Sequence, residues 1–221
     1  MATVPVRDAL RFGWKTTKEN LGLLICVTLV SGVIVMGPTF ALGFVYGLRA
    51  EMADPQTSTG IDMLLAAPGY IAMGILMMGY LRIALRLVDG ETARFRDLFS
   101  CIGMFPALLV AAIVFDVLVL LGFVALVIPA VIINLKLFFF AFVLVDRGVG
   151  PIQSLKQSWA MTRGVKLSLF YLWFWTSMVY TAGALACGVG VLVTLPVAVL
   201  ATAYVYRQLA PDTAAEEAVP A

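Results

Sequence analysis

The run Phe105–Val145 constrains this chain more than any other feature: 41 consecutive residues carry only two charges, Asp116 and Lys136. As a single helix it would reach about 60 Å, twice the thickness of a hydrocarbon core of about 30 Å. It therefore has to fold back on itself. Gly122 ends the pattern of the first arm, and Pro129 suits the first turn of a second helix. The run reads as spans at 105–124 and 129–145, joined by a tight apolar turn near Leu126.

Further apolar runs lie at 21–48 (with Pro38 as a kink), 68–88, 167–186 and 191–206. The expected fold class is an all-α integral membrane protein with six transmembrane helices in three hairpins. Composition agrees. Hydrophobic residues are 62% of the chain and charged residues 13%, against roughly 45–50% and about 25% in soluble domains. Lipid is then the main solvent. The first run exceeds the roughly 7–15 residues of a secretory h-region and reads as a retained span. The acidic, small-residue tail 210–221 reads as disordered.

The basic residues assign the sides. Arg7, Arg11, Lys15 and Lys18 precede the first span; Arg82, Arg86, Arg94 and Arg96 follow the second. Arg147, Lys156, Arg163 and Lys166 lie between the fourth and fifth, and Arg207 closes the sixth. Only Arg49 and Lys136 depart from this pattern. The positive-inside rule places the N-terminus, the C-terminus and these segments in the cytoplasm of a bacterial inner membrane.

Each hairpin is preceded by a segment that reads as an amphipathic in-plane helix, the first being residues 1–20. Apolar stripes are expected at Val6, Leu10, Gly13/Trp14, Thr17 and Leu21; at Phe95, Leu98, Phe99 and Ile102; and at Ile152, Leu155, Trp159 and Thr162. The first and third look like copies: ALRFGWKTTK (Ala9–Lys18) aligns with SLKQSWAMTR (Ser154–Arg163). The functional reading is a collar of Arg7, Arg11, Trp14, Lys15, Lys18, Lys156, Trp159 and Arg163 at the level of anionic lipid headgroups. The alternative is a topology anchor that seats the hairpins.

Asp116 lies ten residues before Leu126 and Lys136 ten after. In antiparallel helices both sit about 15 Å from the turn, at one depth. A lone charge there costs at least about 2.5–3.5 kcal/mol, so the two are expected to pair. The pair either fixes the register of the hairpin or belongs to an ion, proton or substrate path through a small transporter or channel.

Other chemistry lacks its residues. There is no His, and Cys26, Cys101 and Cys187 are far apart and read as buried, inert thiols. No phosphate-binding loop of the G-x-x-x-x-G-K-[ST] type occurs. The net charge of +2 does not suggest nucleic acid. The chain is expected to be neither an enzyme nor a metal or cofactor protein. Its expected partners are membrane lipids, with a homo-oligomer or a partner membrane protein besides.

The strings LVDGETARFRDLFS, ALVIPAVI, FAFVLVDRGVGPIQSLKQSWAMTRG and GVGVLVTLPVAVLATAYVYRQL together resemble a broad group of bacterial six-helix membrane proteins. That group includes the membrane domain attached to some glycerophosphoryl diester phosphodiesterases. The resemblance runs from about Val6 to Leu209. It implies the six-helix architecture and no catalytic residue, because the phosphodiesterase chemistry belongs to a separate barrel domain. Where the group has a glycine after the mid-chain proline, this chain has Ala130. The expected role is that of a non-enzymatic protein organising lipid or partner proteins.

Overall fold

The computed structural model describes residues 6–50, 59–125, 127–185 and 190–210, and every regular element among them is helical. Residues 51–58, Leu126, Cys187 and the tail 211–221 lie outside the described residues. In chain order the elements are α1 (Val6–Glu19), α2 (Leu21–Ala50), α3 (Thr59–Val88), two 3₁₀ turns (Phe95–Phe99 and Ile102–Met104), α4 (Phe105–Ala125), α5 (Val127–Lys136), α6 (Phe140–Arg147), α7 (Pro151–Met161), α8 (Lys166–Leu185) and α9 (Val191–Leu209).

Local chemistry sets the corners. Only Asn20 separates α1 from α2, and the two helices meet at 93°. The Asn20 side-chain amide donates to the Thr16 carbonyl at 3.1 Å and closes the last turn of α1. Gly148 ends α6 with φ 61°, a conformation that costs glycine little. Pro151 then starts α7 where no N–H partner is needed.

Four described stretches are long and apolar enough to cross a membrane: Pro68–Val88, Phe95–Val124, Pro129–Arg147 and Val191–Leu209. The bent pair Val6–Glu19 and Leu21–Gly37 makes a fifth if counted as one span. These helices make the chain a multi-pass membrane protein. α8 has the length, but Tyr171, Trp173, Trp175, Tyr180 and its Ser and Thr residues lower its hydropathy.

α4 matches the expected span 105–124 to within one residue, ending at Ala125, and Gly122 within it is a contact point. A Cβ there would come within 3.0 Å of the Ala130 backbone. The opposite arm is broken into α5 and α6. Across the break the Phe140 N–H bonds to the Leu137 carbonyl at 3.1 Å, a tight turn. It lets successive aromatic rings face different ways: Phe139 is fully buried against Tyr206, while Phe140 stacks on Phe115.

The three hairpins join in a ring. The segment 95–104 lies on α3, α7 lies on α6, and α1 closes the circle by lying on α9. Each lead-in segment thus covers the last helix of the preceding hairpin. A Cβ at Gly79 would collide with the backbone of Leu98, and one at Gly13 would come within 2.6 Å of the Val197 carbonyl oxygen. The core lies between the inner helices, with Ile83 of α3, Val143 of α6 and Ala203 of α9 fully buried.

The lead-in segments bury only part of the expected stripes. α1 buries Gly13 and Thr17 as expected, and Ala9 and Thr16 besides; α7 with its C-cap residue buries Leu155 and Thr162 as expected, and Ser154 and Ser158 besides. Trp14 and Ile152, expected inward, are each 48% exposed. The reason is steric. These helices lie directly on another helix backbone, and only small side chains allow that approach. In the proposed alignment of the two copies, Ala9, Gly13 and Thr17 match Ser154, Ser158 and Thr162, so equivalent positions are buried in both. The middle segment is not an α-helix. Asp97 turns it into a 3₁₀ turn by accepting the Arg94 N–H at 2.8 Å. Leu98 goes inward, while Phe95, Phe99 and Ile102 stay exposed.

Candidate functional site

Asp116 and Lys136 do not pair, which corrects the expectation drawn from their depth. The inward residues of α4 are Ala111, Phe115 and Gly122: Ala111 is fully buried, Phe115 stacks on Phe140 at 5.2 Å, and Gly122 abuts Ala130. Asp116 follows Phe115 by one residue and so points about 100° away. It is exposed on the outside of the bundle. Lys136 turns to another partner. Its ammonium sits 3.5 Å from the centroid of the Trp159 ring, a cation–π contact. Equal distance from a turn fixes height and leaves rotation about the helix axis free.

The backbone of Lys136 is held as well. Its carbonyl, freed by the break after α5, accepts the hydroxyls of Ser158 at 3.1 Å and Thr162 at 3.0 Å. Ser158 Oγ accepts the Phe139 N–H at 3.2 Å. α7 therefore fills the gap in the broken arm. A transport site built on a paired Asp116 and Lys136 loses its premise, since the two face different surroundings.

The collar residues fall into two sets. On α1, Arg7, Arg11, Lys15 and Lys18 are exposed, opposite the face seated on α9. Lys15 approaches Glu19 at 3.9 Å, and Lys18 lies 5.0 Å from the Trp14 ring centroid. On α7, Lys156 and Arg163 are exposed, whereas Trp159 is partly covered and engaged by Lys136. Trp159 is therefore not a free headgroup anchor. Cys26 is exposed on α2, contrary to the buried thiol expected there, and Cys101 is buried.

One polar cluster was not expected. Arg207, at the end of α9, forms a fork on Asp89 after α3, with Nε to Oδ1 at 2.8 Å and Nη2 to Oδ2 at 2.6 Å. Its Nη1 reaches Asp146 Oδ2 at 2.8 Å, and the Tyr206 hydroxyl donates to the same oxygen at 2.8 Å. The ends of α3, α6 and α9, the last helix of each hairpin, thus meet in one charge cluster. A signal was present: Leu87-Val88-Asp89 and Leu144-Val145-Asp146 are the same string at the ends of two hairpins.

Beside it, Arg86 binds Asp97 at 2.7 Å and lies 3.8 Å from Glu91. These residues, with Thr92, Arg94 and Arg96, line an open cavity of about 430 Å³. Among the described residues no group of His, Cys, Asp and Glu could hold a metal ion.

No family model matches the chain, and no solved structure matches it. It is similar to an uncharacterized protein of Mycobacterium bovis, with 29% identity over 238 residues that cover 98% of this chain and 72% of the relative. Uncharacterized proteins of two Mycobacterium tuberculosis strains match at the same identity and coverage.

Proposed function

We propose that this chain is a non-enzymatic, six-span protein of a bacterial inner membrane, with both termini cytoplasmic, that holds anionic lipid headgroups and so organises lipid around itself. Its likeness to the six-helix group named above belongs to the same proposal. The observation that supports it most is the division of α1. One face of Ala9, Gly13, Thr16 and Thr17 is spent on α9, while Arg7, Arg11, Lys15 and Lys18 stay exposed beside a half-exposed Trp14. A helix pinned to the bundle presents those charges at fixed places, so little order has to be created when phosphates bind. Each basic residue near a headgroup layer contributes about 1 kcal/mol, or about fivefold in affinity.

The test uses the full chain in vesicles of phosphatidylcholine with and without phosphatidylglycerol, followed by extraction and quantification of retained lipid. Phosphatidylglycerol should be enriched around the protein, and replacing Arg7, Arg11, Lys15 and Lys18 by Gln should remove the enrichment. Equal retention of the two lipids by the unaltered protein, or undiminished selectivity in the Gln variant, refutes the proposal.

A further inference from the structure

The outward face of α4 bears on a different kind of partner, independent of the lipid reading. Asp116 is the only charged residue in this 21-residue helix, eleven residues after Phe105 and nine before Ala125. It is therefore about 13–16 Å from either end. It is exposed, and no hydrogen bond or ion pair engages it among the described residues. Leu109, Ile113, Leu120 and Phe123 are exposed with it. Together with Asp116 they recur at intervals of four, three, four and three residues, which sets them on one stripe with the carboxylate at its centre. Ionisable groups inside membranes otherwise face a protein interior or a water-filled cavity and find partners there. This one faces outward, and no described residue of the chain reaches it.

We propose that this stripe seats a transmembrane helix of another protein that carries a lysine or arginine at mid-span, where it pairs with Asp116. Charge selects this occupant. An α4-to-α4 contact with a second copy would bring two Asp116 carboxylates together at one depth, a like-charge meeting. The same-height base of this chain, Lys136, already lies on Trp159. Lipid tails offer neither a donor nor a charge. A helix with a mid-span cation neutralises the carboxylate and covers the apolar residues above and below it.

The experiment uses the full chain, donor-labelled, in phosphatidylcholine vesicles with acceptor-labelled synthetic helices. These are Leu/Ala transmembrane peptides whose central residue is Lys, Leu or Glu, and energy transfer reports association. The Lys peptide should bind about tenfold more tightly than the Leu peptide, in line with interhelical polar contacts in lipid. Asp116→Leu should erase that difference, and Asp116→Lys should transfer the preference to the Glu peptide. Equal binding of the Lys and Leu peptides to the unaltered chain overturns the proposal. So does Asp116-dependent transfer between two labelled copies with no response to the Lys peptide, since the occupant is then a second copy. The peptide series is read on the unaltered protein, so a variant that misfolds does not blunt the test.

Discussion

The seat of the 95–104 segment on α3 can be tested by adding one methyl group at Gly79. A Cβ there would collide with the backbone of Leu98, and a backbone cannot rotate aside as a side chain can. Three effects compete. Replacing Gly by Ala inside a helix gains up to about 1 kcal/mol in propensity. Overpacking costs about 1–3 kcal/mol. If the segment lifts instead, Leu98, now fully buried, loses contacts amounting to about 1.5–3 kcal/mol. The Arg86–Asp97 bond at 2.7 Å would be pulled as well. With about 0.5–1 kcal/mol for that bond and the propensity gain set against it, the steric side wins, and Gly79→Ala should destabilise the segment by about 1–3 kcal/mol.

Cys101 provides a local readout. It is fully buried in the same segment, with Arg82 Nη1 3.9 Å from its sulfur. With Cys26 and Cys187 replaced by Ser, it is the only thiol left. Its reaction with a water-soluble maleimide then reports how often the segment opens. At about 1.4 kcal/mol per factor of ten, labelling should accelerate roughly 5- to 150-fold in Gly79→Ala. Gly32→Ala and Gly69→Ala are the controls, because a Cβ at either position meets nothing within 4 Å, and both should label at the parent rate. If Gly79→Ala labels within about twofold of the parent and melts at the same temperature, the segment does not rest on α3 and the ring of hairpins is wrong.

Removing Arg207 should loosen the junction of the three inner helices. Arg207→Met leaves two carboxylates facing each other, and partial exposure limits the loss to about 1.5–3 kcal/mol by thermal unfolding in detergent. Asp146→Asn should cost more than Asp89→Asn, because the Asp146 side chain is 17% exposed and that of Asp89 36%; the reverse order would show that burial does not set the strength here. A double-mutant cycle between Lys136→Met and Trp159→Leu should return a coupling of about 0.5–2 kcal/mol, while the cycle between Lys136→Met and Asp116→Leu should return none. Coupling only in the second cycle would restore the pairing that the structure denies.

What could be read along the chain was whatever depends on repeat and length. The long apolar runs had to be helices, and the 41-residue run had to fold back. The likeness of Ala9–Lys18 to Ser154–Arg163 pointed to two equivalent helices, and the same positions are buried in both. The inward face of those helices was read only in part: Gly13, Thr17, Leu155 and Thr162 went inward, while Trp14 and Ile152, large apolar side chains expected to seek the core, did not. On α1 and α7 the close approach of another backbone favours Gly, Ala, Ser and Thr instead. The candidate site was legible as a set of residues and illegible as a set of pairs. Asp116 and Lys136 stood out in the sequence, yet Lys136 went to Trp159, and Arg207 gathered two aspartates from distant hairpins.

Sequence alone determined that this chain is built of helices long and apolar enough to cross a bilayer, because transfer free energy and helix length act residue by residue. Only the tertiary structure decided which charge meets which, and that the lead-in segments close a ring over α3, α6 and α9. Those outcomes depend on rotation about each helix axis, which a linear count of residues leaves open until neighbouring helices pack and fix it.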